Sequence, residues 1–340
     1  MQNIYDLTLE DMEKYFLDNG SKKFHAKQLF EWLYVKRIKK IEDASNLSKE
    51  LISKINNDFN TDTLKIVEVQ KDVDVQKYLF ELSDGEHIEA VLMMHDFGTS
   101  VCVSSQVGCN MGCKFCESGR RKKVRNLEVH EMVLQILMIE EELGKRISHV
   151  VVMGIGEPFD NYDNVMKFFT IINSPFGLAI GARHLTVSTC GVVPKIREFA
   201  DFPLQVNLAI SLHAPNNEIR NKIMPINKAY PIEVLFPALK EYYNKTNRRL
   251  TFEYIMLEDI NDSEEAAEEL CKLVKGMNCY INLIPYNETN NIEFKRTNAV
   301  KIMRFYDILK KNNITVTIRR EFGRNISAAC GQLRSKKEEL

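Results

Sequence analysis

Four of the chain's eight cysteines, Cys102, Cys109, Cys113 and Cys116, are crowded into one short stretch. In a long chain without a secretion signal, clustered thiols point to metal or redox chemistry before structural disulfides. Cys109-Asn-Met-Gly-Cys113-Lys-Phe-Cys116 spaces three of them as C-x3-C-x2-C. Zinc sites usually take four ligands, often as paired C-x2-C units, and no second pair follows downstream. Three thiolates suit a 4Fe-4S cluster with one iron left open to chelate a substrate. Gly108 and Gly112 let the loop curl tightly, and Phe115 can shield a cluster from water. The competing reading is a structural zinc knuckle that borrows Cys102 or a histidine.

Other residues carry chemistry less specifically. Cys330 lies beside Ala328, Ala329 and Gly331, so its sulfur can be open to attack. The plain reading of Cys102 and Cys330 is two buried apolar thiols. Cys190, Cys271 and Cys279 read as core residues. Gly154, Gly156 and Glu157 suggest a glycine turn, but the full GxGxxG fingerprint is absent. Arg120, Arg121, Lys122, Lys123 and Arg125 follow the cysteine cluster and could bind phosphate near it, or form a solvated loop. Lys36, Arg37, Lys39 and Lys40 read first as a solvated face.

The elements that must position these groups follow from periodicity. Residues 1–60 read as a small helical domain, with Leu29, Phe30 and Leu33 at helical spacing and Leu47, Leu51, Ile55 and Phe59 repeating every four residues. Residues 61–98 read as a β meander connecting two domains, turning at Ser83-Asp84-Gly85-Glu86. From 99 to 290, strand-like runs alternate with helical stretches: Ser100–Ser105, Ser148–Met153, Leu185–Thr189, Gln205–Leu212, Thr251–Met256 and Tyr280–Ile284. Such alternation predicts βαβ units and a parallel sheet, either a partial (β/α)6 barrel or an open doubly wound sheet. A last helix, a seventh run at Thr315–Arg320 and a cysteine-bearing segment occupy 291–340. The polar and small residues gather after the strands: the cysteine cluster, Gly156 and Glu157, Ser188, Ser211 with Leu212 and His213, then Asn287. Chemistry at the C-terminal ends of parallel strands is the pattern of a barrel active site.

Bulk composition narrows the class. The 340 residues carry 46 Lys and Arg against 47 Asp and Glu, a formal net charge of −1. That balance excludes a histone-like, tail-driven nucleic-acid binder but not a local basic patch. No apolar run is long enough to span a membrane, and Met1 to Met12 is polar and acidic. A cytoplasmic location is the expectation.

The C-x3-C-x2-C motif after a first barrel strand resembles the signature of radical S-adenosylmethionine (SAM) enzymes. Further stretches resemble the RlmN/Cfr group of RNA methyltransferases: Cys102-Val-Ser-Ser-Gln-Val-Gly-Cys109, Met153-Gly-Ile-Gly-Glu157-Pro, Gly181-Ala-Arg-His-Leu-Thr-Val-Ser188-Thr, Ser211-Leu-His213-Ala-Pro, Met224-Pro-Ile-Asn227 and Ala328-Ala-Cys330-Gly-Gln-Leu. With Phe24-His-Ala-Lys-Gln-Leu-Phe-Glu-Trp-Leu-Tyr34 they run from end to end. Pro158 and Asn161-Tyr-Asp-Asn164 look more like RlmN than Cfr.

The resemblance implies a partial (β/α)6 radical SAM barrel with a small N-terminal helical domain. It implies a 4Fe-4S cluster on Cys109, Cys113 and Cys116, with SAM chelating the open iron. Gly156, Glu157, Ser188, Ser211, Leu212, His213 and Asn287 match the family's SAM contacts. Two SAM molecules serve each turnover: one methylates Cys330, and the second yields a 5′-deoxyadenosyl radical that takes hydrogen from that S-methyl group. The resulting methylene radical adds to an adenine carbon. Cys102 then attacks Cys330 and releases the methylated base, and Glu89 matches the proton acceptor. The implied partners are 23S rRNA, tRNA as a second substrate, and a flavodoxin- or ferredoxin-like electron donor; a monomer is expected.

The chain departs from the family in places. Glu117-Ser118-Gly119 stands where Ala-Thr-Gly is common, Lys123-Val124 replaces Gly-Phe before Arg125-Asn126-Leu127, and Arg324-Asn325-Ile326-Ser327 stands where Asp-Ile-Asp is usual. These changes touch substrate and regiochemistry rather than the radical chemistry. The leading expectation is adenine C2 methylation. A Cfr-like C8 methyltransferase conferring antibiotic resistance is the alternative. A radical SAM enzyme acting on a peptide or small molecule, and a non-catalytic RNA-binding protein with a structural cluster, are weaker alternatives.

Overall fold

The structure, a computed structural model, describes residues 1–288, 293–319, 326, 328 and 331–333. Among them one sheet of ten strands dominates. Seven run parallel in sequence order: Gly98–Val103, His149–Val152, Leu185–Thr189, Asn207–Ser211, Leu250–Met256, Cys279–Pro285 and Thr315–Ile318. Intervening helices cover them, including Val129–Leu143, Tyr162–Asn173, Ile232–Thr246, Glu264–Leu273 and Ala299–Lys311. Strands covered in this way are largely apolar, as Leu250–Met256 is apart from Thr251 and Glu253. This is an α/β fold with a mostly parallel sheet and a small helical N-terminal unit, as the resemblance implies.

The expected connector does not stand between two bodies. Its strands Lys65–Asp72, Val75–Glu81 and His87–His95 form an antiparallel meander, and His87–His95 pairs with Gly98–Val103. The meander therefore extends the barrel sheet. Its period-two pattern shows strands, but pairing with the first parallel strand is set by the Asp96–Gly98 turn and by burial on the sheet face.

The N-terminal helices Leu9–Asp18, Lys23–Tyr34 and Lys49–Asp58 begin at local signals. Thr8 and Asp11 form a reciprocal capping box, and Ser48 caps the third helix. Phe16, Phe30 and Tyr34 are fully buried in a core continuous with that of the barrel. The unit is tied down by Asp6, which accepts from the His130 backbone N–H at 2.8 Å, and by an Arg37–Glu140 ion pair. Arg37, one of the four basic residues read as a solvated face, is thus engaged in packing. Lys36 lies 3.8 Å from the Trp32 ring centroid, a cation–π contact.

Candidate active site

The cysteine loop leaves the first parallel strand and curls back on itself. Gly108 has φ +74°, and a Cβ there would meet the Lys122 carbonyl oxygen at 2.4 Å; Gly112 has φ +65°. Both are conformations that glycine adopts at least cost. The loop is pinned by backbone hydrogen bonds: the Cys109 N–H donates to the Arg121 carbonyl at 2.9 Å, and the Lys114 N–H donates to Ile223 at 3.0 Å.

Cys109, Cys113 and Cys116 face an open cavity of about 150 Å³. Burial pushes the Cys109 thiol up to about 12, and it also pushes the Cys113 thiol well above its ordinary range. Thiolates in such a place need a strongly cationic partner, as an iron–sulfur core supplies. Among the described residues no three Cys, His, Asp or Glu side chains converge on one metal-ion position. The donor set and the cavity fit the cluster.

The strand ends supply the rest of the wall. Gly156, Ser188, Ser211 and His213 line the same cavity, and the Ser188 and Ser211 hydroxyls lie 3.3 Å apart. His213 has φ +58°. Its Nδ1 accepts from the Ile255 N–H at 3.0 Å, which leaves the proton on Nε2. Burial, assisted by the Arg220 charge, lowers its pKa to about 3, so the ring is neutral. Glu157 is buried, and its carboxylate accepts from the Phe159 N–H at 3.0 Å and the Cys190 N–H at 2.8 Å. It orders the strand ends, and it is not among the described lining residues. Leu212 is packed into the main core. Asn287 is buried with its Oδ1 lacking a hydrogen-bond partner, a polar atom that a ligand can satisfy.

A second constellation sits on the neighbouring sheet face. Cys102 lies opposite Val91 in register, and Glu89 opposite Leu79. The period-two alternation puts Lys77, Glu89, Val91 and Cys102 on one face. Glu89 is buried rather than at the surface, and its Oε1 lies 3.1 Å from the Lys77 Nζ. Cys102 packs in a small apolar cluster with Val75, Val91, Met93, Ile155, Ala328 and Leu333. Cys330 lies outside the described residues, as do Arg324, Asn325 and Ser327. Its neighbours are described: the Gly331 carbonyl accepts from the Glu117 N–H at 2.8 Å, and the Leu333 carbonyl from the Ser118 hydroxyl at 3.0 Å.

Glu253 and Arg319 also line the cavity, 4.0 Å apart, and burial raises the Glu253 pKa. Sequence reasoning missed both. A lone acid inside the otherwise apolar run Leu250–Met256 was the available signal. The basic run after the cluster is largely committed to ion pairs: Arg121 to Glu86 and Lys123 to Asp160 at 2.6 Å, and Arg125 to Asp84 and Glu131 at 2.6 and 2.7 Å. It anchors the loop. Among the described residues no helix is long and apolar enough to cross a membrane.

The geometry agrees with the comparisons. Residues 103–271 match the radical SAM superfamily model, and residues 2–60 match that of the ribosomal RNA large subunit methyltransferase N-terminal domain. The chain is 55% identical over 344 residues to a probable dual-specificity RNA methyltransferase RlmN of Enterococcus faecalis, covering 98% of this chain and 96% of that protein. It is 52% identical to the like-named protein of Spiroplasma citri, with 99% of each covered. The crystal structure of a radical SAM methyltransferase from Sphaerobacter thermophilus superposes with a TM-score of 0.93 at 40% identity, over 99% of this chain and 100% of that one. The enzymes of this superfamily use a 4Fe-4S cluster and SAM. On fold, site and similarity along its whole length, the chain belongs to the RlmN family of radical SAM RNA methyltransferases.

Proposed function

We propose that the protein methylates carbon 2 of an adenosine in 23S rRNA, and of an adenosine in tRNA, through a methyl-cysteine on Cys330 and a transient disulfide with Cys102. The observation that carries this reading is the packing of Cys102. It lies in one apolar cluster with Ala328 and Leu333, which bracket Cys330, on the sheet face that also bears Glu89. The names of the relatives, dual-specificity RNA methyltransferases, support an RNA substrate of two kinds.

When bound on Cys109, Cys113 and Cys116, the cluster with SAM supplies one-electron reductive cleavage and hydrogen-atom abstraction, the electron coming from a flavodoxin- or ferredoxin-like donor. The chain's own groups do the rest. Adenine carbon 2 is electrophilic, so direct displacement on SAM fails there. Cys330 solves this by taking the methyl group onto sulfur first and presenting it as a thioether. Ser188, Ser211, the neutral His213 and Asn287 hold SAM by hydrogen bonds that cost no protonation. Glu89, held by Lys77, would take the C2 proton as the adduct radical gives up one electron, which the cluster, when bound, would accept. Cys102 then loses its proton and attacks the Cys330 sulfur: the S–S bond forms, the S–C bond to the base breaks, and the released carbon takes up a proton to become the methyl group. The apolar shell around Cys102 keeps water from this step. The target base must leave its stack to enter the cavity.

The test is anaerobic. Reconstituted protein, SAM and a reductant are incubated with unmodified 23S rRNA and with tRNA, and the digested nucleosides are compared with C2- and C8-methyladenosine standards. The expected product is C2-methyladenosine from both RNAs, absent in Cys330→Ala. Persistent SAM cleavage with no methyladenosine in either RNA overturns the assignment.

A further inference from the structure

Arg220 is the largest fully buried side chain in the described structure, with 0% exposure. It lies on the short helix Asn217–Ile223, just beneath the cysteine loop. Its hydrogen bonds run from Nε to the Leu212 carbonyl at 3.2 Å, from Nη2 to the Cys190 carbonyl at 2.6 Å and the Ser211 carbonyl at 3.4 Å, and from Nη1 to Asn227 Oδ1 at 2.8 Å and the Tyr230 carbonyl at 3.5 Å. Every acceptor is a neutral oxygen. Among the described residues no carboxylate forms an ion pair with it. Glu157 reaches the same Cys190 from the N–H side, where its carboxyl group also engages the Thr189 and Cys190 side chains.

A buried charge without a counter-charge costs several kcal/mol, and guanidinium cannot escape by losing its proton. A fold that keeps one needs an anion nearby. The helix that carries Arg220 abuts the cysteine loop. Lys114 donates its N–H to Ile223, and Phe115, Cys113, Cys116, Cys190, Ile223 and Met224 pack as one apolar group. Burial acts against the Arg220 charge, and Cys190 first and Cys113 second are the neighbours whose deprotonation would offset it. Three thiolates around a cluster core leave a net negative charge that grows by one on reduction. A fixed cation in a low-dielectric wall stabilises the more negative state more strongly, and net charge is one of the determinants of cluster potential.

We infer that Arg220 is a positioning residue for the radical chemistry whose buried charge raises the reduction potential of the cluster, easing electron entry from the donor. This rests on Cys109, Cys113 and Cys116 holding the cluster. Its five hydrogen bonds also tie together the ends of Leu185–Thr189 and Asn207–Ser211, so a purely structural role must be separated from an electrostatic one.

The experiment is an EPR-monitored redox titration of the anaerobically reconstituted full-length protein, with iron and sulfide quantified. Arg220→Lys keeps the charge and loses the fork; Arg220→Gln loses both. Asn227→Asp keeps the arginine and places a carboxylate on it, at the position where Nη1 now finds Oδ1, which keeps the test decisive if Arg220→Gln does not fold. The expected result is a more negative midpoint potential in Arg220→Gln and Asn227→Asp, with Arg220→Lys near wild type. Unchanged potentials in cluster-loaded Asn227→Asp or Arg220→Gln overturn the inference. Failure of the wild-type protein to assemble a 4Fe-4S cluster, or assembly that persists without the three cysteines, overturns the underlying assignment instead.

Discussion

Glu117 donates its backbone N–H to the carbonyl of Gly331 at 2.8 Å. One residue follows the last cysteine of the C-x3-C-x2-C loop, and the other follows Cys330. The cysteine loop and the segment proposed to carry the methyl group are therefore joined by a main-chain bond, reinforced by the Ser118 hydroxyl on Leu333. Ser118→Ala removes the side-chain bond, at a cost of about 1 kcal/mol. The expected outcome is uncoupling: more 5′-deoxyadenosine released per methyladenosine formed, with cluster content unchanged. Quantifying both products by mass spectrometry checks it.

Cys102→Ala leaves the protein able to accept a methyl group on Cys330 and to form the bond to the base, but unable to release it. A covalent protein–RNA adduct is expected to accumulate, visible as an RNase-sensitive shift on a denaturing gel. The double variant Cys102→Ala/Cys330→Ala is expected to show none.

Lys77 and Glu89 are both buried, with side-chain exposures of 6% and 5%. Glu89→Gln leaves an ammonium without its partner, and breaking a buried pair from one side typically costs about 3–5 kcal/mol. Replacing both, as Lys77→Met/Glu89→Gln, is expected to recover most of that stability while methylation stays lost. Denaturant unfolding read beside the methylation assay separates the two effects; a double variant no more stable than Glu89→Gln would sink this account of the pair.

His213 has a folded pKa of about 3 against an ordinary 6.5, the result of burial first and the Arg220 charge second. A depressed histidine pKa means that the unfolded chain binds a proton that the folded one refuses. The contribution is complete above pH 6.5 and is lost as pH falls toward 3, with a slope near 1.4 kcal/mol per pH unit for one group. Glu253, raised by burial, acts in the opposite sense, favouring the fold at low pH and less so as pH rises through its folded value. His213→Gln is expected to flatten the fall in stability between pH 6.5 and 5, measured by urea unfolding at each pH.

Much of this was legible in the residues. The strands that carry Ser188 and Ser211 fall where alternation places them, because a parallel strand under helices must be apolar and short. The three-cysteine loop needed no tertiary information. What was hidden depended on partners distant in sequence. Arg121, Lys123 and Arg125 read as a phosphate patch because Glu86, Asp160, Asp84 and Glu131 come from other elements. The burial of Glu89 was hidden because it depends on the meander joining the barrel sheet. Arg220 carries no signal in its local sequence, since only the convergence of two strand ends and a loop encloses it.

The order of the sheet has a mechanical consequence. Cys102 sits on the first parallel strand, while the segment bearing Cys330 follows the last, Thr315–Ile318, which forms an outer edge. The disulfide proposed above would staple the two margins of the parallel array and close a very long loop of chain. Cross-links of that kind restrict the unfolded ensemble most. The enzyme would leave each turnover in a tougher form than it entered, and the reductant that resets it would also loosen it.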